Sequence, residues 1–242
     1  MKLLRAAGWT MIWAGVLIFA FLAYQLFGTS IATNRAQVEA GEQLDTIFEA
    51  SIEELAATGV TIPTDPTDPT DPTDPTDPTG PIVVVPTLFP EPVPVAGQPF
   101  ARILIPAIEL DRVVWEGVDR EDLKNGPGHM PWTTLPGQPG NSVISGHRTT
   151  HGAPFFRLDE LVVGDSITVE TATGSHVYEV REILIVDPTA VEVTEFREGA
   201  WLTLTTCHPV YSAAQRLVIH AELVDGPNFP FVQSQTTDSE AS

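Results

Sequence analysis

The sequence predicts a mainly β domain that follows an N-terminal membrane helix and a proline-rich linker. Three observations support this fold class: an uncharged apolar run near the N-terminus, a Thr-Asp-Pro repeat, and a long region of short β-favouring runs separated by glycine and proline turns. Many short strands at such spacing are typical of a closed barrel or a sandwich. We take the elements in chain order.

The N-terminus has the features of a signal anchor. Lys2 and Arg5 lie in residues 1–5, and no charged residue occurs in residues 6–27. At ~1.5 Å rise per residue this run can cross a hydrocarbon core of ~30 Å. The positive-inside rule places residues 1–5 in the cytoplasm and the rest outside. A cleavable signal peptide is the alternative, because Ser30-Ile31-Ala32 offers a small-x-small cleavage site. Under either interpretation most of the chain is exported.

Residues 28–60 are predicted to form a juxtamembrane amphipathic helix, because apolar residues recur there at helical spacing. These residues are Leu44, Ile47, Phe48, Ile52 and Leu55. Three possibilities stay open for this helix: self-association, packing on the following domain, and a solvated spacer.

Residues 61–99 are predicted to be a stiff linker. Thr-Asp-Pro occurs five times from Thr64 to Pro78, and further prolines follow. Proline at every third position forbids helix and favours an extended polyproline-II rod, which at ~3.1 Å per residue reaches ~45 Å. We expect this linker to hold the next domain away from the lipid.

Residues 100–225 form the predicted β domain, and residues 226–242 are predicted to be a disordered polar tail, since they lack periodicity. Alternation in Ser166-Ile167-Thr168-Val169-Glu170 is typical of a half-buried strand. The predicted strands are Phe100–Ile105, Arg112–Trp115, Ser142–Ser145, Ser166–Glu170, His176–Val186, Trp201–Thr206 and Arg216–Leu223.

Charge and cysteine content restrict the function. The chain has 12 basic and 32 acidic residues, a formal net charge of -20, which argues against a nucleic-acid partner. Its one cysteine, Cys207, excludes an internal disulfide. A free thiol in an exported domain is prone to oxidation, although a small buried hydrophobe is the simpler interpretation.

Three residues at strand ends form a candidate nucleophilic set. His147 follows the strand Ser142–Ser145, Cys207 ends the run TLTTC, and Arg216 opens a later strand. A cysteine attacks as its thiolate, a histidine can protonate a leaving amine, and an arginine can stabilise an oxyanion. His208 is a poorer partner for Cys207, because neighbours on a strand point to opposite faces.

These motifs resemble the sortase family. The run TLTTC, Arg216 downstream and the GHR segment upstream carry the resemblance. The stretches GHRTTHGAPFFRLDEL and LTTCHPVYSAAQRLVIHAEL are similar to class E sortases, the housekeeping type of actinobacteria. The resemblance implies an eight-stranded sortase β-barrel, with His147 as acid/base, Cys207 as nucleophile and Arg216 as oxyanion-stabilising or substrate-positioning residue.

The resemblance also implies a reaction and a location. A sortase cleaves a C-terminal LAXTG- or LPXTG-like sorting signal of secreted proteins between Thr and Gly. It forms a thioacyl intermediate, here on Cys207, and passes the protein to an amine of a lipid-linked peptidoglycan precursor. The enzyme would be a single-pass plasma-membrane protein anchored through residues 6–27, with its catalytic domain outside and facing the cell wall. Neither a cofactor nor a metal is expected. Thr205 and Thr206 line the substrate groove or serve ordinary strand packing.

Two other interpretations of the sequence compete with a sortase. An L,D-transpeptidase is disfavoured, because its Ser-His-Gly-Cys-x-Arg-like signature is missing around Cys207. A non-catalytic membrane-tethered β-domain, acting as adhesin or scaffold, fits the anchor, linker and strands equally well. Only the Cys-His-Arg set separates it from an enzyme. A zinc site using His147, His151 and Cys207 is disfavoured because Gly152 and Pro154 indicate a loop.

Overall fold

The computed structural model describes residues 2–24, 29–57 and 86–240. Two helices, α1 and α2, precede eight strands, and a helix, α3, follows them. The helices are α1 Lys2–Ala23, α2 Thr29–Ala57 and α3 Phe229–Glu240. The strands are β1 Pro99–Ile105, β2 Leu110–Glu116, β3 Gly128–His129, β4 Gly140–Ser145, β5 Ser166–Thr171, β6 Gly174–Val186, β7 Ala200–His208 and β8 Gln215–Asp225.

The eight strands close into a barrel in the order β1-β2-β3-β4-β7-β8-β6-β5. The predicted barrel is therefore confirmed. Neighbouring strands are antiparallel except for the pairs β2–β3 and β4–β7, which are parallel. The seven predicted strands correspond to β1, β2 and β4 to β8. The strand β3 was missed because Gly128-His129 is too short to show an alternating pattern.

Alternation along each strand fills the barrel. On β5, Ile167 and Val169 are fully buried while Ser166 is exposed, as expected where every second side chain faces the core. The interior is lined by Ala101, Ile103, Ile105, Ile144, Ile167, Val169, Tyr178, Val180, Leu202, Leu204, Leu217, Ile219, Ala221 and Leu223.

Helix α2 packs on the outside of the barrel, which decides between the three possibilities left open for this segment. Ala40 and Leu44 are buried against Val113 and Trp115 of β2. Gln37 binds the same strand through its amide: it accepts from the Val113 N–H at 2.8 Å and donates to the Val113 carbonyl at 3.1 Å.

The buried stripe of α2 differs from the one predicted. Ile52 belongs to the predicted apolar spacing but is 46% exposed. The face in contact with the barrel instead includes Thr33, whose hydroxyl donates to the Lys124 carbonyl at 2.7 Å. Polar side chains can dock a helix when they satisfy backbone groups of the partner, and an apolar pattern cannot reveal them.

The end of the predicted linker is attached to the barrel. The Phe89 N–H donates to Asn228 Oδ1 at 2.7 Å, and Gln138 and Asn228 each donate to the Phe89 carbonyl at 2.9 Å. Glu91 accepts hydrogen bonds from residues of the β5–β6 turn. The predicted spacer 61–99 therefore ends before this segment. Its Thr-Asp-Pro repeat lies outside the described residues.

The prediction of a disordered tail over 226–242 is wrong for α3. Asn228 and Val232 are buried, and Phe229 packs on the barrel core next to Val232. The spacing of this apolar pair by three residues places both side chains on one helix face. A pair of residues is too little for a periodicity-based prediction, but burial against the core stabilises the helix.

Helix α1 covers much of the predicted membrane anchor. Within the three described segments, no helix combines the length and the apolarity that crossing a bilayer requires. The transmembrane segment predicted at 6–27 is therefore not confirmed.

Candidate active site

Cys207 and Arg216 face each other across two neighbouring strands. Antiparallel pairing of β7 with β8 sets Cys207 directly opposite Arg216. Residues opposed in this way have Cβ atoms roughly 4.5–5.5 Å apart. Cys207 is a free thiol of intermediate exposure, and Arg216 is half-buried. The thiol can therefore be reached from solvent and lies beside a permanent positive charge.

The register of β4 against β7 brings the start of the His147 loop to the strand of Cys207. Ser145 pairs with Thr205, and the Gly146 N–H continues the ladder by donating to the Thr205 carbonyl at 3.1 Å. His147 follows two residues after Ser145, in the loop beyond β4. Cys207 and Arg216 thus lie on the neighbouring strands β7 and β8, and His147 follows β4, the other neighbour of β7 in the barrel order.

Cys207 and Arg216 also share one face of the sheet. Leu204 on β7 and Leu217 on β8 belong to the barrel interior. Cys207 and Arg216 alternate with these positions, so their side chains lie on the outer face. His208 lies on the face opposite to Cys207, as the alternation argument predicted.

The environment of His147 weakens its basicity. Its Nε2 is buried and has no hydrogen-bond partner among the described residues. The ring of His151 stacks on it, with 4.8 Å between ring centroids. Burial, and secondly the charge of His151, lower the pKa of His147 below its ordinary value. A larger fraction of the imidazole is therefore neutral at neutral pH.

The loop that carries His147 has an irregular backbone. His151, Gly152 and Ala153 all have positive φ, at 50°, 73° and 45°. Gly146, immediately before His147, packs so closely on a ring that a Cβ there would lie 2.5 Å from Phe155 Cδ2. A glycine is therefore required at this position, since any side chain would push the loop away from β7.

Arg216 is held by the loop between β7 and β8. Its Nη1 donates to the carbonyl oxygens of Ala213 at 3.1 Å and Gln215 at 3.0 Å. Its other nitrogens have no recorded partner in the described part of the chain. The guanidinium is thus oriented at one corner while further donors remain for a ligand.

The two threonines before Cys207 differ in position. Thr206 is 3% exposed, and its hydroxyl donates to the Gly146 carbonyl at 2.8 Å. This bond ties the start of the His147 loop to β7 and favours the packing alternative for Thr206. Thr205 alternates to the same face as Cys207, and this position keeps it a candidate for substrate contact.

Sequence reasoning missed Arg148. Its residue surface is 2% exposed, although it carries a permanent charge. Its partners include the Cys207 carbonyl, with Nη1 3.5 Å from that oxygen. The sequence pattern that could have indicated its burial is the alternation of side-chain direction along an extended chain. If the His147 side chain points outward, that of the next residue points inward.

The remaining histidines lie in the core with partners. His129 Nδ1 is 2.8 Å from Glu116 Oε2, His220 Nδ1 is 2.7 Å from the Thr203 hydroxyl, and His176 Nε2 is 3.0 Å from the Thr171 hydroxyl. Among the residues that the structure describes, no group of three or more His, Cys, Asp or Glu side chains is placed to hold a metal ion.

Comparison with known proteins agrees with this geometry. The sequence profile of the sortase domain matches residues 103–224. The chain is 28% identical over 237 residues to sortase SrtE1 of Streptomyces coelicolor, covering 91% of this chain and 57% of that relative. It is 34% identical over 135 residues to sortase D of Bacillus subtilis, covering 54% of this chain and 67% of that relative. The chain thus spans little more than half the length of the first of these relatives.

Solved structures give the same result. The sortase D5 transpeptidase of Clostridium perfringens superposes with a TM-score of 0.57 at 26% identity, covering 81% of this chain and 100% of the other. Sortase E of Streptomyces avermitilis gives a TM-score of 0.50 at 36% identity, covering 54% of this chain and 91% of the other. A matching domain profile over half of the chain, related sequences and a shared closed barrel lead to one conclusion: this protein belongs to the sortase family of cysteine transpeptidases.

Proposed function

We propose that this protein attaches secreted proteins to the cell wall, with Cys207 as nucleophile, His147 as acid/base and Arg216 as the group that stabilises the oxyanion or positions the substrate. The observation that supports the proposal is the pairing of Cys207 directly opposite Arg216 on β7 and β8, with the His147 loop starting from β4, the other neighbour of β7. A non-catalytic adhesin or scaffold would not need such a set.

In the first half-reaction, the Cys207 thiolate attacks the threonine carbonyl of a sorting signal. The developing oxyanion is stabilised by the Arg216 guanidinium. The bond between Thr and Gly then breaks, and the imidazolium of His147 gives its proton to the departing glycine amine. A thioester on Cys207 and a neutral His147 remain.

In the second half-reaction, an amine attacks the thioester carbon. His147 takes the proton from this amine, the C–S bond breaks, and Cys207 leaves as a thiolate. The product is a new amide. Because burial lowers its pKa, a larger fraction of His147 is neutral and available to accept a proton in this step.

The proposed substrate is a protein with a C-terminal LAXTG- or LPXTG-like signal, and the proposed acceptor is the amine of a lipid-linked peptidoglycan precursor. Relatives named sortase E and sortase D support the assignment to cell-surface attachment. Thr205 is proposed to contact the substrate next to Cys207. The proposal includes anchoring through residues 6–27, which rests on the uncharged run after Lys2 and Arg5 and leaves the catalytic domain outside the membrane.

The test is a mass spectrum of the products formed from sorting-signal peptides in the presence of candidate amines. We expect cleavage between Thr and Gly, a covalent acyl adduct on Cys207 and an amide with the preferred amine. Cys207→Ala is the matched control. It should abolish all three signals and leave the circular dichroism spectrum unchanged, because the half-exposed thiol contributes little to the core. Cleavage by Cys207→Ala would refute the assignment.

A further inference from the structure

Arg148 follows His147 in the chain and takes no part in the chemistry proposed above. It is the largest of the fully buried side chains among the described residues. Burying a guanidinium is costly unless hydrogen bonds and an opposite charge compensate it. Such a residue therefore needs a structural or functional reason.

The Arg148 guanidinium contacts three separate parts of the protein. Its Nε donates to the Phe156 carbonyl at 2.8 Å, and its Nη2 lies 2.7 Å from Asp159 Oδ1. Its Nη1 reaches the backbone carbonyl of Cys207 at 3.5 Å. Phe156 and Asp159 follow the His147 loop, whereas Cys207 lies on β7. One planar side chain thus joins the loop of the acid/base to the strand of the nucleophile.

This connection matters because His147 lies beyond the end of β4. Two other hydrogen bonds fix the loop near His147. The Thr206 hydroxyl donates to the Gly146 carbonyl, and the Phe155 N–H donates to the His147 carbonyl at 3.1 Å. His147 and Arg148 are consecutive, so one can present its imidazole to the outer face while the other extends into the interior. Any displacement of the Arg148 side chain is transmitted directly to the neighbouring imidazole.

We propose that Arg148 is a positioning residue for the transpeptidase reaction: its guanidinium sets the separation between the His147 imidazole and the Cys207 thiol. The inference rests on the proposed roles of those two residues. Arg148 touches neither the reacting atoms nor the substrate. A misplacement of about 1 Å in a reacting pair can cost ~10²-fold in rate, which sets the size of the effect to expect.

The first test compares Arg148→Met and Arg148→Lys with the wild type in cleavage of a sorting-signal peptide, below the melting temperature of each variant. Methionine retains much of the volume but none of the donors. We expect kcat to fall ~10²-fold in Arg148→Met with a much smaller change in KM. Arg148→Lys keeps the positive charge but lacks the planar set of guanidinium donors, so its kcat should recover only part of this loss. A wild-type kcat in folded Arg148→Met would overturn the proposal.

The second test does not depend on turnover. The rate of Cys207 alkylation by iodoacetamide is measured against pH in the wild type, Arg148→Met and His147→Gln. We expect the wild-type profile to contain an inflection from the imidazole, which His147→Gln removes and Arg148→Met weakens. A role in folding alone would leave this inflection in place in the folded fraction, and that result would overturn the proposal.

Asp159→Asn covers the case in which Arg148→Met does not fold. The Asp159 side chain is 45% exposed, so its replacement removes the charged partner of Arg148 without opening the core. We expect a several-fold loss of kcat and a weakened imidazole inflection; an unchanged kcat and profile would count against the proposal. Peptide cleavage by the wild type but not by Cys207→Ala tests the proposed function separately from the role of Arg148.

Discussion

At the end of the barrel that carries Cys207, this thiol and the Arg216 guanidinium are half-exposed. At the other end, the polar side chains around the β5–β6 turn are buried and hydrogen-bonded to one another. The antiparallel register of β6 and β8 defines the two ends: Val186 pairs with Arg216, and Val177 pairs with Asp225. At the barrel end that carries Asp225, the Glu91 carboxylate accepts hydrogen bonds from the hydroxyls of Thr171 and Thr173. Both hydroxyls also contact the His176 ring.

The two ends of the barrel therefore have different roles. Buried hydrogen-bond networks restrain the segments that they join. The Glu91 network fixes the chain entering the barrel to the β5–β6 turn, although His176 Nδ1 has no partner among the described residues. At the Cys207 end, His147 Nε2 has no hydrogen-bond partner among the described residues. Arg216 Nη1 donates to a backbone carbonyl of the β7–β8 loop. The half-exposed Cys207 thiol and the Arg216 nitrogens that the loop does not bind remain available to a substrate. One end is built for stability and the other for reaction.

Replacing Arg216 should give the largest effect and should separate activity from stability. Arg216→Lys keeps the positive charge but loses the planar arrangement of guanidinium N–H donors. We expect kcat/KM for peptide cleavage to fall by ~10²–10³-fold, comparable with removal of an oxyanion-hole donor, with little change in melting temperature. Arg102→Lys is a suitable control, because Arg102 pairs with Asp111 on the surface, with side chains 45% and 51% exposed. Near-normal kinetics in Arg216→Lys would exclude a geometric role for the guanidinium.

Replacing His176 should change stability and leave catalysis alone. Burial lowers the pKa of His176 from 6.5 to about 4. Between these values the unfolded chain binds the proton and the folded chain does not, so stability falls as the pH drops from 6.5 towards 4, by up to ~3 kcal/mol. Burial raises the pKa of Glu91, which opposes this trend at low pH.

His176→Gln keeps a donor towards the two threonines but cannot titrate. We expect urea unfolding of this variant to show a shallower loss of stability between pH 6.5 and 4 than the wild type, with an unchanged kcat at pH 7. His220, whose pKa burial also lowers to about 4, supplies the remaining slope. An identical pH dependence in the variant and the wild type would show that His176 does not act in this way.

Replacing His151 should give the smallest effect, confined to the reactive end. The charge of His151 is the second cause, after burial, of the lowered pKa of His147. His151→Gln removes that charge, so the pKa of His147 should rise, and NMR titration of its ring protons can measure the change. Lys124→Gln is the matched opposite change: Lys124 lowers the pKa of His151, so its removal increases the charge on His151 and should not raise the pKa of His147. A fall in the pKa of His147 in His151→Gln would contradict this charge effect.

Local sequence patterns predicted most of the strands and selected the three candidate residues Cys207, His147 and Arg216. Strands such as β5 and β7 could be predicted because alternation and β-branched residues are local properties. Their pairing partners are not local. That β4 lies parallel to β7, and therefore that the His147 loop starts beside the strand of Cys207, follows from the barrel order, which only the family resemblance implied.

The missed features all depend on tertiary contacts. Glu91 lies between prolines and looks like spacer, yet its carboxylate is bound by the β5–β6 turn. Gln37 looks like a solvated helix residue, yet it pairs with the backbone of β2. Arg148 looks like a surface charge, yet it is buried. In each case a polar side chain hydrogen-bonds to backbone or side-chain groups that are distant in the sequence. Amino-acid composition does not reveal such pairs.

Docking of α2 changes what the Thr-Asp-Pro linker can do. Near its N-terminal end α2 reaches the His147 loop, where a Cβ on Gly152 would lie 3.2 Å from Thr33 Cγ2. For a chain anchored through residues 6–27, as proposed, the mouth of the catalytic centre would stay close to the bilayer whatever the number of repeats. The repeat then joins α2 to the Phe89 segment, and both of these contact the barrel. For a chain anchored in this way, the number of repeats does not set the distance between the barrel and the bilayer, contrary to the spacer role expected from the sequence.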